Sequence, residues 1–136
     1  MTDRQQPNLL KENMPGPPVA VLAEALFLAN LMLIPVLGFV LMLVLWWKFR
    51  HSDSAIVRNH LQQTVVTSIS GAAILIGVSV AIFLLGGLDN PVSWVIGVLY
   101  FLCVHAVLIL LGMIGLNRAI LARKWRYPLL GPRIEE

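Results

Sequence analysis

The chain has 136 residues, of which 58% are hydrophobic and only 12% are charged, and its formal net charge is +3. An ordinary soluble domain carries about 25% charged residues, and a domain this short could not bury so much apolar surface. The composition therefore predicts an all-α integral membrane protein. The single cysteine, Cys103, excludes an internal disulfide framework and a cysteine-based zinc site.

The N-terminal part of the chain divides into a polar segment and a long apolar run. Residues 1–18 are polar and rich in proline, which predicts a flexible tail. The apolar run of residues 19–47 contains Pro35. A bilayer core needs about 20 apolar residues of helix, and proline kinks a helix. We therefore expect one tilted or kinked spanning helix here, since two full spans do not fit.

The second helix is predicted to follow a polar connector, residues 48–54, in which Ser52, Asp53 or Ser54 can provide the N-terminal cap. Its first turns are polar, and its apolar run extends over residues 65–85. The whole element is too long for a bilayer, so we expect its polar start to lie on the cytoplasmic membrane surface. Glycines at residues 86 and 87 then predict a tight turn.

The third apolar run extends from residue 92 to about residue 121, and Trp125 and Tyr127 follow it at the depth of the lipid headgroups. Residues 128–136 are predicted to form a short polar tail. The sequence thus predicts three transmembrane helices within a domain of residues 19–127.

Basic residues set the expected orientation. They lie in the connector before the second apolar run and after the third run: Lys48, Arg50, Arg58, Arg118, Arg123, Lys124, Arg126 and Arg133. The connector between the second and third runs has no basic residue and contains Asp89. The positive-inside rule therefore predicts a cytoplasmic C-terminus and, with three spans, an N-terminus outside a bacterial inner membrane. Because the basic residues flank apolar runs, we expect no nucleic-acid partner.

Small residues recur on one face of the second helix and one face of the third. They are Ser70, Ala73, Gly77 and Ala81 on the second, and Gly112, Gly115 and Ala119 on the third. Close packing of small residues contributes to helix association in lipid, so both rows are candidate packing faces, within one chain or between chains. The alternative is that glycine and alanine are simply common in membrane helices.

Three polar residues at membrane depth are candidates for function because burying them there is costly. Glu24, Asn30 and His105 could form a proton or ion path. In the structural alternative, Glu24 reaches the outer interface, while Asn30 and His105 satisfy each other or a backbone carbonyl. His60 and His105 are expected at different depths, which argues against haem ligation by the pair, and we expect no cofactor.

The most polar part of the chain near the bilayer opens the second helix. It contains Arg58, Asn59, His60, Gln62 and Gln63. These side chains could recognise a lipid headgroup, a quinone or a partner protein, or they could simply solvate the start of the helix. No nucleophile elbow, phosphate loop, paired-carboxylate site or metalloprotease motif occurs, so we expect neither an enzyme nor a metal site.

Several short segments resemble the Tic-twenty-like family of small bacterial membrane proteins. They are Trp46-Trp47-Lys48, Val57-Arg58-Asn59-His60 with Gln62-Gln63, and Trp125-Arg126-Tyr127-Pro128-Leu129. The resemblance covers roughly residues 25–134. It implies a helical membrane protein in which the second helix begins in the cytoplasm, and some plastid relatives look like protein-import translocon components.

The sequence leads to three functional hypotheses. The first is a non-enzymatic small accessory subunit that packs against and stabilises the helices of a larger inner-membrane complex. The second is a translocon or channel-forming protein, suggested by the resemblance and the polar groups in the spans. The third is a quinone- or haem-associated redox subunit, suggested by His60 and His105. Expected partners are membrane lipids and either a larger membrane protein or further copies of the chain.

Overall fold

The prediction of an all-helical protein is confirmed by the computed structural model, which describes residues 16–134. The helices are α1 (Pro18–Met32), α2 (Leu37–Phe49), α3 (Ala55–Gly86) and α4 (Pro91–Ile120). The N-terminal tail predicted for residues 1–18 lies almost wholly outside the described residues, and α1 already begins at Pro18.

The first apolar run forms two helices that fold back on each other. Between α1 and α2, Val36 has a φ of 69° and a ψ of −57°, a γ-turn conformation outside helical geometry, and the Leu37 N–H donates across it to the Pro35 carbonyl at 2.8 Å. Leu45 and Phe49, in the last turns of α2, pack against a buried cluster that includes Ala20 and Ala23 in the first turns of α1. The predicted single kinked helix is therefore wrong: the chain reverses near Pro35, because these apolar contacts hold the two halves antiparallel.

The lengths of α1 and α2 bear on the predicted number of spans. At about 1.5 Å per residue, α1 and α2 are about 22 Å and 20 Å long, which is shorter than the hydrocarbon core of about 30 Å. Only α3 and α4, among the described residues, are long and apolar enough to cross a membrane. The prediction of three spans is therefore not confirmed.

The caps of α3 and α4 agree with the turn residues in the sequence. Ser54 caps α3, and its hydroxyl accepts a hydrogen bond from the Val57 N–H. Gly87 has a φ of 84°, which glycine adopts at little cost, and it ends α3. Asn90 caps α4 and Pro91 opens it.

Most of the apolar surface of α3 and α4 faces outward. Only 6% of the most apolar stretch of α3, and 17% of that of α4, is buried within the chain. A core helix of a soluble protein would bury most of its apolar side chains. The two helices therefore present the surface expected of a protein in contact with lipid or with a partner in the membrane.

One end of the helix bundle gathers the start of α1, the end of α2, the start of α3 and the end of α4. The Gly16 N–H donates to the Ile120 carbonyl at 2.8 Å, which joins the start of the described chain to the end of α4. We call this end of the bundle the polar end. Beyond α4, the chain turns at Ala122 and Leu129, which have φ angles of 53° and 65°, and hydrogen bonds place the segment of residues 123–134 against α3. The predicted orientation, with the two termini on opposite sides of the membrane, is not confirmed, because Gly16 and the segment after α4 meet at the same end of the bundle.

The two rows of small residues have different surroundings. Gly112, Gly115 and Ala119 are buried, and a Cβ atom at Gly112 would lie 2.7 Å from Leu28 and 2.9 Å from Phe27, both in α1. The row on α3 is mostly exposed, and no neighbouring element in the described part of the chain would lie within 4 Å of a Cβ atom at Gly77. Within the chain, the row on α4 thus packs against α1 and not against the row on α3.

Replacing Gly38 by alanine is expected to destabilise the hairpin. A Cβ atom at Gly38 would lie 2.9 Å from both the Asn30 Cα and the Asn30 N, and this backbone cannot rotate away. Overpacking of this kind costs about 1–3 kcal/mol, measurable as a lower midpoint of thermal unfolding in detergent. The matched control, Gly77→Ala, is expected to be neutral or slightly stabilising. Equal stability of the two variants would contradict the hairpin.

Candidate functional site

The polar end contains a carboxylate and an imidazole in direct contact. Glu24 of α1 and His60 of α3 are both 0% exposed, and Oε1 of Glu24 lies 2.6 Å from Nδ1 of His60. A single first span would place Glu24 near the outer interface and His60 at the cytoplasmic edge, on opposite sides of the membrane. The structure brings them together instead, because the α1–α2 hairpin returns the chain to the end at which it entered.

The hydrogen bonds of His60 determine how many protons the pair holds. The Nε2 atom lies 2.8 Å from the carbonyl oxygen of Arg123, which can only accept, so Nε2 carries a proton. One further proton must lie between Nδ1 and Oε1 to make the second hydrogen bond. Whichever atom holds it, the pair carries no net charge. This neutrality makes its complete burial tolerable, since an isolated buried charge is very costly.

Tyr127 completes the environment of Glu24. Its hydroxyl donates to Oε2 of Glu24 at 2.5 Å, and its ring packs against Phe27 at 5.2 Å between centroids. Burial, and then the nearby Glu24 carboxylate, raise the pKa of Tyr127 above its ordinary value, so the phenol keeps its proton and can donate. Gly115 leaves the space for this contact, because a Cβ atom there would lie 2.6 Å from Oε2.

Two amide side chains of α3 hold the segment after α4 by its backbone. Oδ1 of Asn59 accepts from the Trp125 N–H at 2.8 Å, and Oε1 of Gln63 accepts from the Tyr127 N–H at 3.1 Å. The Nε2 group of Gln63 also donates to the Pro132 carbonyl at 2.7 Å. These residues lie four positions apart and share one helical face. We call Glu24, Asn59, His60, Gln63 and Tyr127 the polar clamp.

The polar clamp separates the five polar residues that open α3 into two groups. Asn59, His60 and Gln63 face the protein and bind the returning segment. Arg58 and Gln62 are exposed and line an open pocket with residues of the same segment. No local pattern predicts that Tyr127 joins this cluster, because 103 residues separate it from Glu24.

Asn30 and His105 line a second cavity, deeper in the bundle, of about 370 Å³. Its wall includes Thr67 and Ser68, whose hydroxyl oxygens are buried without a hydrogen-bond partner in the described chain, as is Nδ1 of His105. The imidazole of His105 stacks on Phe101 at 5.5 Å. Thus Asn30 and His105 share a cavity, but no hydrogen bond joins them among the described contacts.

The geometry also bears on metal and haem ligation. Both ring nitrogens of His60 are engaged, by Glu24 and by the Arg123 carbonyl, so neither is available to iron. Within residues 16–134, no group of three or more His, Cys, Asp and Glu side chains could hold a metal ion. The described chain thus offers His60 no role as a haem ligand.

The fold and the buried clamp define a small helical protein with two helices suited to a membrane and a C-terminal segment locked onto the bundle. The chain belongs to the MamF/MmsF family, whose model, described as the magnetosome magnetite crystal formation protein family, matches residues 18–134. The protein is therefore a member of a magnetosome membrane family involved in forming magnetite crystals. No curated protein and no solved structure matches the chain.

The assignment to the Tic-twenty-like family, suggested by the resemblance, is wrong. The family model that matches is that of MamF/MmsF, which is a different family. The resemblance depended on segments of three to five residues, whereas the matching model extends over residues 18–134. Several of those residues, including His60, Gln63 and Tyr127, belong to the polar clamp. Segments this short are too few in residues to identify a family, even where their side chains make structural contacts, as these do in the polar clamp.

Replacing Tyr127 by phenylalanine tests the polar clamp. The change removes the hydrogen bond to Glu24 and keeps the ring packing, so we expect a loss of about 1–3 kcal/mol in the free energy of unfolding. The matched control is Tyr100→Phe, which removes a hydrogen bond to the Ile74 carbonyl at an exposed site and should cost less than about 1 kcal/mol. Chemical unfolding in detergent measures both, and equal losses would contradict the clamp.

Proposed function

We propose that this chain is a non-catalytic membrane protein of the magnetosome that contributes to magnetite crystal formation as a structural accessory. The match of the MamF/MmsF family model over residues 18–134 carries the proposal. Iron ions are then the substrate of mineral growth and not a resident cofactor of this chain.

The burial of the polar clamp supports a structural role over catalysis. Glu24 and His60 are the pair of side chains best suited to acid–base chemistry, yet both are 0% exposed and every ring nitrogen of His60 is hydrogen-bonded. A general acid or base must come within hydrogen-bond reach of its substrate. These groups instead stabilise the docked position of residues 123–134.

The proposed arrangement in the membrane follows from the position of the basic residues at the polar end. Helices α3 and α4 cross the bilayer, and the α1–α2 hairpin enters it from the polar end without crossing. The basic residues of the described chain lie in the segments that meet at this end, which the positive-inside rule assigns to the cytoplasm. Gly16 and the C-terminal segment then lie on one side, in place of the opposite sides expected from three spans.

The accessory role also requires a surface for a partner. The exposed row of Ala73, Gly77 and Ala81 on α3 permits close approach of another helix, since no neighbouring element among residues 16–134 occupies the space beside Gly77. The partner of this proposal is a helix of another membrane protein or of a second copy of the chain.

A gene replacement in a magnetosome-forming host tests the proposed function. Deletion is expected to change the size or shape distribution of the magnetite crystals, measured by electron microscopy. The variant Glu24→Ala should fail to restore the distribution, because removing one member of a buried pair costs about 3–5 kcal/mol. The matched variant Glu24→Gln should restore it, since an amide can donate to a neutral His60 and accept from Tyr127.

Two results would contradict this proposal. Crystals unchanged by the deletion would separate the chain from magnetite formation. A Glu24→Gln protein that is present at normal levels in the membrane and fails as completely as the deletion would show that the carboxylate itself performs chemistry.

A further inference from the structure

A pocket at the polar end gathers positive charge from three places in the chain. It has a volume of about 240 Å³, and it is lined by Ala55, Arg58, Asn59, Gln62, Lys124, Arg133 and Ile134. Three of these residues are cationic, and two more carry amide groups that can donate hydrogen bonds. Among residues 16–134, no acidic side chain lines the pocket. We call it the cationic pocket.

The polar clamp is what assembles the cationic pocket. Lys124 precedes Trp125, whose N–H is bound by Asn59, and Arg133 follows Pro132, whose carbonyl is bound by Gln63. These two hydrogen bonds bring the C-terminal cations to the side of α3 that carries Arg58. The convergence of the three charges is therefore fixed by buried contacts, although the side chains themselves are exposed.

The start of α3 adds to the attraction for an anion. Ala55 is the first residue of the helix and lines the pocket. The first N–H groups of a helix lack partners within the helix, and the helix dipole favours negative charge at this end. Arg58 is held at the rim by a hydrogen bond from its guanidinium to the Ser52 carbonyl, and a guanidinium offers several further donors.

The depth of the pocket indicates the source of the anion. The apolar part of α3 begins at Val65, seven residues after Arg58, which corresponds to about 10 Å along the helix axis. With α3 across the membrane, the pocket lies at the level of the lipid phosphates. Planar guanidinium groups match the oxygens of a phosphate and bind it by charge-assisted hydrogen bonds.

We propose that the cationic pocket binds a phosphate group, supplied by the headgroup of an anionic phospholipid. Arg58 and Arg133, which both line the pocket, contact the phosphate oxygens, and Gln62 contributes an amide donor. This inference goes beyond the proposed role in crystal formation, and it rests on the proposed placement of α3 across the membrane.

Native mass spectrometry of the full chain in detergent tests the proposal by titration with phosphatidylglycerol. The pocket variant combines Arg58→Gln with Arg133→Gln. The matched control combines Arg123→Gln with Arg126→Gln, which removes the same charge from the same end of the bundle without touching the pocket lining. Loss of two charge-assisted hydrogen bonds should weaken lipid binding about tenfold or more in the pocket variant, and less than about twofold in the control.

Further measurements distinguish the chemistry and the source of the ligand. A lipid whose only charge is a carboxylate should bind more weakly than phosphatidylglycerol. Lipid retained in the presence of excess inorganic phosphate would support the headgroup as the ligand, whereas displacement would support the phosphate site with free phosphate as its ligand. Equal weakening in both double variants, or equal binding of the carboxylate lipid, would overturn the proposal. Unchanged thermal unfolding of both variants shows that folding is not the cause.

Discussion

The hydrogen bond between Glu24 and His60 is the constraint on which the rest of this structure depends. Two ionisable groups that are both 0% exposed must share a proton between them, because neither can carry a charge alone in an apolar interior. The second ring nitrogen of His60 then needs an acceptor, which the Arg123 carbonyl supplies, and the second oxygen of Glu24 needs a donor, which Tyr127 supplies. These requirements join α1, the start of α3 and the segment after α4.

The same constraint separates the two ends of the molecule. At the polar end, buried hydrogen bonds fix the backbone of residues 123–132, and the exposed cations stand around them. Away from that end, α3 and α4 carry outward-facing apolar side chains and little internal packing, which suits lipid as the surrounding solvent.

The parts of the fold that depend on local chemistry could be predicted from the sequence, and the parts that depend on distant contacts could not. The sequence offers Ser52, Asp53 or Ser54 as the cap of α3 and glycines to end it, and Ser54 and Gly87 take these positions, because caps and turns need only neighbouring residues. The reversal near Pro35 is not predictable in this way, since a proline is equally compatible with a kink, and the hairpin depends on the packing of α2 side chains such as Phe49 against a buried cluster from α1, α3 and α4. The pairing of Glu24 with His60 spans 36 residues and leaves no periodic signal. The polar cluster at the start of α3 can be recognised in the sequence. Which of its side chains face inward depends on residues 123–134, which fold back onto α3.

Hydrogen–deuterium exchange at the amides of Trp125 and Tyr127 tests the central claim most directly. These N–H groups donate to Asn59 and Gln63 only while the C-terminal segment is docked. The account predicts slow exchange at both amides in the wild-type chain, and exchange near the rate of an unfolded peptide in Glu24→Ala while the amides in the middle of α4 stay protected. Fast exchange at both amides in the wild-type chain, or unchanged protection in Glu24→Ala, would contradict the claim that the buried pair holds the segment in place.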